Sequence, residues 1–276
     1  MTGTYNIVLV ALSFALAIVA SYTALDLAGR LQFTPTLTVA VPKATQPSLK
    51  WRRLFWLLGG AVAMGTGIWS MHFVAMLAFV LPQPVNYNVW ITLFSLVCAI
   101  SASGIALWLL SRASNLLILI IGGICMGIGI AWMHYTGMAA MQLQAHIRYD
   151  WAIVGLSFAI AIIASFAALW LASGFQNESL KGQLQKFGSA FVMGVAISGM
   201  HYTGMWATQF IPQQQLLAEQ NSIFNSFWLA IAIGIATLLI LSIALLTSLF
   251  DQRLAAQLVR EQVMLLAARK ATFSPT

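Results

Sequence analysis

Six long stretches of the sequence contain no charged residue, and they limit the fold more than any other feature. They cover residues 1–25, 54–111, 113–147, 151–177, 187–218 and 220–250. A hydrocarbon core about 30 Å thick is crossed by roughly 20 apolar residues of a helix, and each stretch is at least that long. Only 7% of the residues are charged, against about 25% in soluble domains. The sequence therefore predicts a multi-pass helical membrane protein and excludes a soluble enzyme, a disordered tail and a β-barrel.

The uncharged stretches predict seven transmembrane helices in an all-α fold. These spans cover about residues 4–27, 54–80, 88–110, 116–140, 151–173, 187–210 and 226–250. With the N-terminus outside, twelve of the 13 Lys and Arg residues flank the inner ends, which predicts a cytoplasmic C-terminus. The net charge of +7 is spread over these flanks and does not indicate a nucleic-acid partner. Residues 1–250 then form the membrane domain, and residues 251–276 form a cytoplasmic amphipathic helix and tail.

The odd-numbered and even-numbered spans each carry a repeated pattern. Odd spans share serines eight residues apart, such as Ser13 and Ser21. Even spans share a longer motif, which reads MGTGIWSMHFVAM at 64–76, MGIGIAWMHYTGM at 126–138 and MGVAISGMHYTGM at 193–205. We therefore predict three tandem helix hairpins plus a seventh helix, related by an axis along the membrane normal. Equivalent residues of spans 2, 4 and 6 then face one centre, and the motif glycines allow those helices to approach closely.

Three of the four histidines occupy the same position of the motif: His72, His134 and His201. Each has a methionine directly before it and another four residues after it: Met71, Met76, Met133, Met138, Met200 and Met205. Imidazole with thioether in an apolar site favours copper, whereas three histidines alone also suit zinc with an open position. The alternative is a purely structural role, with histidines bonded between helices and methionines that fill gaps.

The two cysteines lie inside predicted spans and are too few for a disulfide framework. Free cysteine is usually a small buried hydrophobic residue, so we expect Cys98 and Cys125 in the core. Cys125 precedes the second motif and is kept as a candidate metal ligand. His146 lies in an outer loop beside Arg148 and Asp150, where we expect it to be solvated.

The motifs resemble the signature of the bacterial MHYT sensor domain: MHYT at 133–136, MHYT at 200–203 and the variant MHFV at 71–74. The resemblance extends over about residues 1–250, including the seven spans. It implies an integral sensor of the bacterial cytoplasmic membrane that binds copper and senses a diatomic gas such as O2, CO or NO. The ligands implied by this resemblance are Met71, His72, Met133, His134, Met200, His201 and Cys125. Phe73 and Val74 depart from the pattern, so a role for the hydroxyls of Tyr135 and Tyr202 cannot be threefold.

Members of that family commonly carry cytoplasmic output domains such as a diguanylate cyclase, a phosphodiesterase or a histidine kinase. We find no G-G-D-E-F motif and no kinase glycine box in these 276 residues. The sequence thus predicts a non-enzymatic sensor that signals to a cytoplasmic partner through the last span. The alternatives are a copper transporter or carrier, with the Met and His rows as a path, and a membrane redox protein that uses the same metal. A bis-histidine haem is a variant of the sensor hypothesis.

Overall fold

The computed structural model of the protein describes residues 3–32, 49–83, 85–112, 115–174, 180–212 and 226–272. These residues form the seven predicted helices: α1 (Ile7–Gln32), α2 (Leu49–Ala78), α3 (Val89–Leu110), α4 (Leu116–Ala139), α5 (Trp151–Gly174), α6 (Leu180–Trp206) and α7 (Ser226–Thr272). Six of the described helices are long and apolar enough to cross a membrane. The remaining one is α6, which begins with two lysines and two glutamines and whose motif adds Gly, Ser, His, Tyr and Thr. The predicted all-α membrane fold is confirmed.

The first six helices pack side by side in chain order and form a closed ring. Each helix neighbours the next one, and α6 closes the ring by packing against α1. The same contacts recur from one hairpin to the next, so the three hairpins are related by an approximate threefold axis. α7 lies outside the ring, mainly against α1 and α2.

Short two-stranded ribbons join the two ends of each hairpin at one end of the ring. The strands are β1 (Thr4–Tyr5), β2 (Phe79–Val80), β3 (Asn86–Tyr87), β4 (Met141–Gln142), β5 (Ala145–Tyr149) and β6 (Thr208–Pro212). β1 pairs with β2, β3 with β4 and β5 with β6, all antiparallel. We call this end of the ring the strand end. The predicted spans 4–27, 54–80 and 187–210 wrongly included residues of β1, β2 and β6, because hydropathy cannot separate a short strand from the adjoining end of a helix.

Each odd helix of the ring begins with the same cap. The side chains of Asn6, Asn88 and Asp150 accept hydrogen bonds from backbone N–H groups two and three residues later. Such bonds satisfy amide groups that the first turn of a helix leaves unpaired. The backbone N–H of each capping residue donates, at 2.8 Å, to a carbonyl at the end of the even helix: Ala78, Ala140 and Ala207. The cap thus also fixes the two ends of each hairpin to each other.

Glycines early in the motif bring the even helices close to the odd helices, and not to one another as the repeat predicted. A Cβ on Gly127 would lie 2.5 Å from the Cα of Ile162 in α5, which is too close for any side chain. The equivalent contacts are those of Gly65 with Ile100 and of Gly194 with Ile18. Side-by-side packing around the ring therefore depends on these glycines.

α7 is much longer than a single membrane crossing requires. Its 47 residues give it a length of about 70 Å, while a hydrocarbon core is about 30 Å thick. The helix therefore continues beyond the ring at the end opposite the strands. The domain boundary predicted at residue 250 lies within this unbroken helix, and the side chain of Leu254 beyond it is 58% exposed.

Candidate metal centre

The three motif histidines meet on the threefold axis, in the half of the ring nearer the strand end. All three are fully buried. His72 Nδ1 lies 2.9 Å from His201 Nδ1 and 3.1 Å from His134 Nδ1. The ring centroids are separated by 4.8, 5.0 and 5.2 Å. The structure thus brings together the three residues that the repeat placed at one centre, and we call them the histidine triad.

Small residues late in the motif make room for the imidazole rings. A Cβ on Gly137 would lie 2.4 Å from His72 Nε2, and a Cβ on Gly204 would lie 2.4 Å from His134 Nε2. Both glycines stand three residues after a motif histidine, and Ala75 has this place in the first motif. Two of the rings therefore rest against the backbone of the neighbouring even helix, at positions where a side chain would displace the ring.

The hydrogen bonding of the triad is incomplete. Nε2 of each of the three histidines is buried and has no hydrogen-bond partner among the described residues. A neutral imidazole carries one proton on two nitrogens, so His72 Nδ1 can donate to its two neighbours or accept from them, but not both. Leaving a buried polar atom unpaired costs about 1–3 kcal/mol. Bringing the three rings together therefore lowers the stability of the fold, which indicates a role other than packing.

The triad fits a metal ion bound by three Nδ1 atoms. Metal–nitrogen bonds of about 2.0–2.1 Å in a tetrahedral site place the nitrogens about 3.3 Å apart. The observed separations of 2.9 and 3.1 Å need to widen by only a few tenths of an ångström. Metal-binding histidines usually donate their second N–H to an acceptor, and the described residues offer no such acceptor to Nε2. The inner donor set is therefore suitable, although the usual supporting hydrogen bonds are missing.

The methionines predicted as ligands form two buried groups. Those directly before the histidines belong to the main core of the ring: Met71, Met133 and Met200. Those four residues after the histidines pack with Leu81 and Phe210 into a separate apolar cluster: Met76, Met138 and Met205. This cluster, which we call the apolar cap, lies between the triad and the strand end. It separates the histidines from the surface on that side.

Cys125 lies away from the triad. Its side chain is exposed on α4, nine residues before His134 and thus about 14 Å from it along the helix. It shares this exposed face with Ile128 and Trp132. The expectation of a buried Cys125 is wrong because a face turned to lipid is as apolar as the core, so composition cannot distinguish the two. His146 is exposed on β5, as expected.

Three hydrogen bonds around the triad join each even helix to the odd helix of the next hairpin. The hydroxyl pairs are Tyr135 with Ser157 at 2.8 Å and Tyr202 with Ser13 at 3.3 Å. In the first motif Phe73 has no hydroxyl, and Trp69 Nε1–H donates to Ser95 at 3.0 Å instead. Each serine gives its own proton to the carbonyl three residues earlier, so it needs a donor, which an indole can supply. The role of the tyrosine hydroxyls is indeed only twofold, but sequence reasoning missed Trp69.

A second set of tyrosines was also missed at the sequence level: Tyr5, Tyr87 and Tyr149. Their rings contact Tyr202, Phe73 and Tyr135, respectively. Burial, with a smaller effect of the neighbouring tyrosine, raises the pKa of Tyr5 and Tyr149 to about 12, so both stay protonated at neutral pH. The signal was present in the sequence, because each copy has Tyr-Asn or Tyr-Asp with the tyrosine eight residues before the bonded serine.

Removing one of the side chains that donate to these serines is expected to destabilise the protein modestly. Tyr135→Phe and Trp69→Phe should each lower the free energy of unfolding by about 0.5–1.5 kcal/mol, because each serine keeps its bond to the backbone carbonyl. Thermal unfolding in detergent, followed by tryptophan fluorescence, measures the change. Trp132→Phe on the exposed face of α4 is the control. A Tyr135→Phe variant as stable as this control would show that the hydroxyl contributes nothing.

The fold and the site together define a multi-pass helical membrane protein with a pseudo-threefold ring around a buried histidine triad. The sequence profile of the MHYT family, described as a bacterial signalling protein N-terminal repeat, matches residues 65–123, 127–181 and 194–260. These matches cover more than half of the chain. The chain therefore belongs to the MHYT family, as the motifs indicated.

Curated relatives of the chain include signalling proteins from two bacteria. The chain is 47% identical over 258 residues to the bifunctional diguanylate cyclase/cyclic di-GMP phosphodiesterase MucR of Pseudomonas aeruginosa, covering 93% of the chain and 36% of that protein. It is 39% identical over 206 residues to the cyclic di-GMP phosphodiesterase NbdA of the same species, covering 74% of the chain and 24% of that protein. It is 34% identical over 249 residues to the signaling protein YkoW of Bacillus subtilis, covering 87% of the chain and 29% of that protein. The chain thus spans little more than a third of these relatives at most, and no solved structure matches it.

The family repeats and the hairpins of the structure divide the chain at different helices. The family repeats mainly pair α2 with α3, α4 with α5 and α6 with α7. In the ring, α2 packs against α3 and α4 packs against α5. The equivalent neighbour of α6, however, is α1. The bond between Ser13 and Tyr202 belongs to this closure. α7 is therefore displaced to the outside of the ring.

Proposed function

We propose that this chain is the sensory membrane part of a signalling protein and that its histidine triad binds copper. The observation that carries the proposal is the convergence of three Nδ1 atoms on a buried axis. Membership in a family of bacterial signalling proteins supports the sensory role. A bound metal with an open position supplies the coordination chemistry for a diatomic gas such as O2, CO or NO. The protein residues hold the metal and exclude water from it.

Copper is proposed in preference to zinc because soft thioether sulfur atoms lie next to the histidines. Imidazole accepts copper in either oxidation state, and thioether sulfur favours Cu(I). The methionines next to the histidines, Met71, Met133 and Met200, are fully buried in the same core. Haem is not proposed, because ring centroids 4.8–5.2 Å apart leave no space for a macrocycle between two imidazoles.

A sensor is favoured over a transporter by the packing along the axis. The apolar cap covers the triad towards the strand end. On the other side the axis is lined by apolar side chains of the odd helices, including Leu25, Leu107 and Leu169, around a cavity of about 10 Å³. Met76, Met138 and Met205 lie in the cap, and Met64 and Met193 line the cavity, but the described residues pack too closely on either side to leave an open path for an ion.

The orientation of the chain and its output complete the proposal. The distribution of Lys and Arg supports an orientation in the bacterial cytoplasmic membrane with the strand end outside and the far end of α7 in the cytoplasm. Because the relatives MucR and NbdA are named as cyclic di-GMP enzymes and the chain covers only 36% and 24% of them, we infer that this region is not catalytic. It instead signals to a cytoplasmic output partner through α7.

Metal analysis by mass spectrometry tests the proposal on protein purified without a metal-affinity resin. We expect about one copper ion per chain, since three histidines make one site. The variant His72→Ala/His134→Ala/His201→Ala should lose it, while His146→Ala, which changes an exposed histidine, should keep it. Circular dichroism and gel filtration show that each variant is folded. Wild-type protein that carries no metal and takes up no copper would refute the proposal. Zinc in the same stoichiometry would show that the site binds zinc and not copper.

A further inference from the structure

A buried carboxylate joins three helices at the end of the ring opposite the strands. Asp26 of α1 accepts a hydrogen bond from Lys186 Nζ of α6 at 2.8 Å and another from the Ser248 hydroxyl of α7. Arg30 Nε donates to the same Ser248 oxygen at 2.9 Å. Asp26 and Ser248 are both buried. Through this carboxylate, α7 is bonded to α6, the helix that carries His201.

α7 is also bonded to α2, the helix that carries His72, at two levels. Thr237 donates to Ser70 at 2.7 Å, and both side chains are buried. Ser70 stands only two residues before His72. Nearer the far end of the ring, Arg52 of α2 pairs with Asp251 of α7 at 3.1 Å. α7 thus contacts α2 both beside the triad and at its far end.

In the part of the chain that the structure describes, the third histidine-bearing helix has no comparable connection to α7. α4, which carries His134, packs mainly against α3 and α5, on the far side of the ring from α7. We infer that α7 responds to the position of α6 relative to α2 and that Asp26 and Ser248 are the positioning residues that couple it to the triad. This inference rests on the proposed metal binding, because a ligand shifts the helices only if it binds two arrangements with different affinity.

The strength of the contacts explains why α7 has to follow α6. A buried ion pair is expensive to break, because each charge is then left without water or partner. A shift of α6 that widens the triad therefore carries Asp26 of α1 along, and Ser248 of α7 follows through its hydrogen bond to the same carboxylate. The Arg52–Asp251 pair is about one-third exposed, and such pairs contribute little. We thus assign the coupling to Asp26 and Ser248 and a minor part to Arg52.

Pulsed electron paramagnetic resonance on the full chain tests this coupling. Spin labels are attached at Ser111→Cys, at the end of α3, and at Leu254→Cys, on α7, in a Cys98→Ser/Cys125→Ser background. Both labelled positions are exposed. The distance between the labels is measured without metal and with Cu(I) or Zn²⁺, which are diamagnetic, and metal content is measured on the same samples. We expect metal to change the wild-type distance by about 2 Å, a typical helix shift in switching proteins.

Variants separate coupling from metal binding. Asp26→Asn and Ser248→Ala should each reduce the distance change at least twofold while metal content stays the same. Arg112→Gln is the matched control, because Arg112 is a charged residue at the same end that stacks on Trp108, and it should keep the full change. If Asp26→Asn does not fold, Ser248→Ala, which removes only a hydroxyl, decides the result.

Two different failures can be told apart. If wild type binds metal but the distance does not change, or if both coupling variants keep the full change, the inference is overturned and metal binding stands. If wild type binds no metal, the proposed function itself fails, and the inference fails with it.

Discussion

Replacing Gly204 by alanine is expected to lower the affinity for metal about 100-fold, although the substitution leaves every donor atom in place. The added Cβ would lie 2.4 Å from His134 Nε2. The ring then has to move by about 1 Å to regain a normal contact distance, whereas metal ligands must be held within about 0.5 Å of their geometry. A 100-fold loss equals about 2.7 kcal/mol, which lies within the 1–3 kcal/mol that overpacking usually costs. Competition with a chelator of known affinity measures the change.

The chain provides a matched control for this substitution in the same helix. A Cβ at Gly199, two residues before His201, meets no described atom within 4 Å apart from the adjoining backbone of its own helix. Gly199→Ala should therefore leave the affinity unchanged and stabilise the helix by up to about 1 kcal/mol. Gly137→Ala should repeat the loss, because its Cβ would meet His72. Wild-type affinity in both Gly137→Ala and Gly204→Ala would mean that the metal does not depend on the ring positions seen in the triad.

The triad could be predicted from the sequence because the repeat adds information that a single helix lacks. One histidine in an apolar helix has several explanations, but three at the same motif position require a common environment if the hairpins pack symmetrically. His72, His134 and His201 do meet on the axis. The charge-free stretches were also enough to predict seven helices, since such a stretch that is long enough to cross a membrane has few other uses.

Other parts of the site depend on facts that a single sequence does not show. Composition could not place Cys125, because the lipid-facing side of α4 is as apolar as its core side. Trp69 was missed because it takes over the role of a tyrosine hydroxyl from a position one turn earlier, so it does not align with Tyr135 and Tyr202. The exclusion of α7 from the ring follows from the contact of α1 with α6, which joins the two ends of the repeat. Such non-local contacts leave no local pattern.

Replacing Asp26 by alanine is expected to be the most destabilising of the substitutions considered. The side chains of Asp26 and Lys186 are only 8% and 15% exposed, so the substitution leaves a buried ammonium group without a partner. Removing one member of a buried ion pair typically costs about 3–5 kcal/mol. At about 2–4 °C per kcal/mol for a protein of this size, the unfolding midpoint should fall by roughly 10 °C. Thermal unfolding in detergent, read from tryptophan fluorescence, measures the shift.

Two contributions to this loss can be separated: the burial of an unpaired charge and the lost attraction between the two charges. Asp26→Leu/Lys186→Met replaces both members by apolar residues and should recover most of the stability, because no charge remains buried. Arg52→Ala breaks the pair with Asp251 at the same end, which is about one-third exposed, and should cost at most about 1 kcal/mol. If the double variant is as unstable as Asp26→Ala, the attraction itself stabilises the fold. In that case the buried pair contributes net stability, and its retention needs no explanation from signalling. Recovery in the double variant would instead indicate that the pair is kept for the position it gives to α6 and α7.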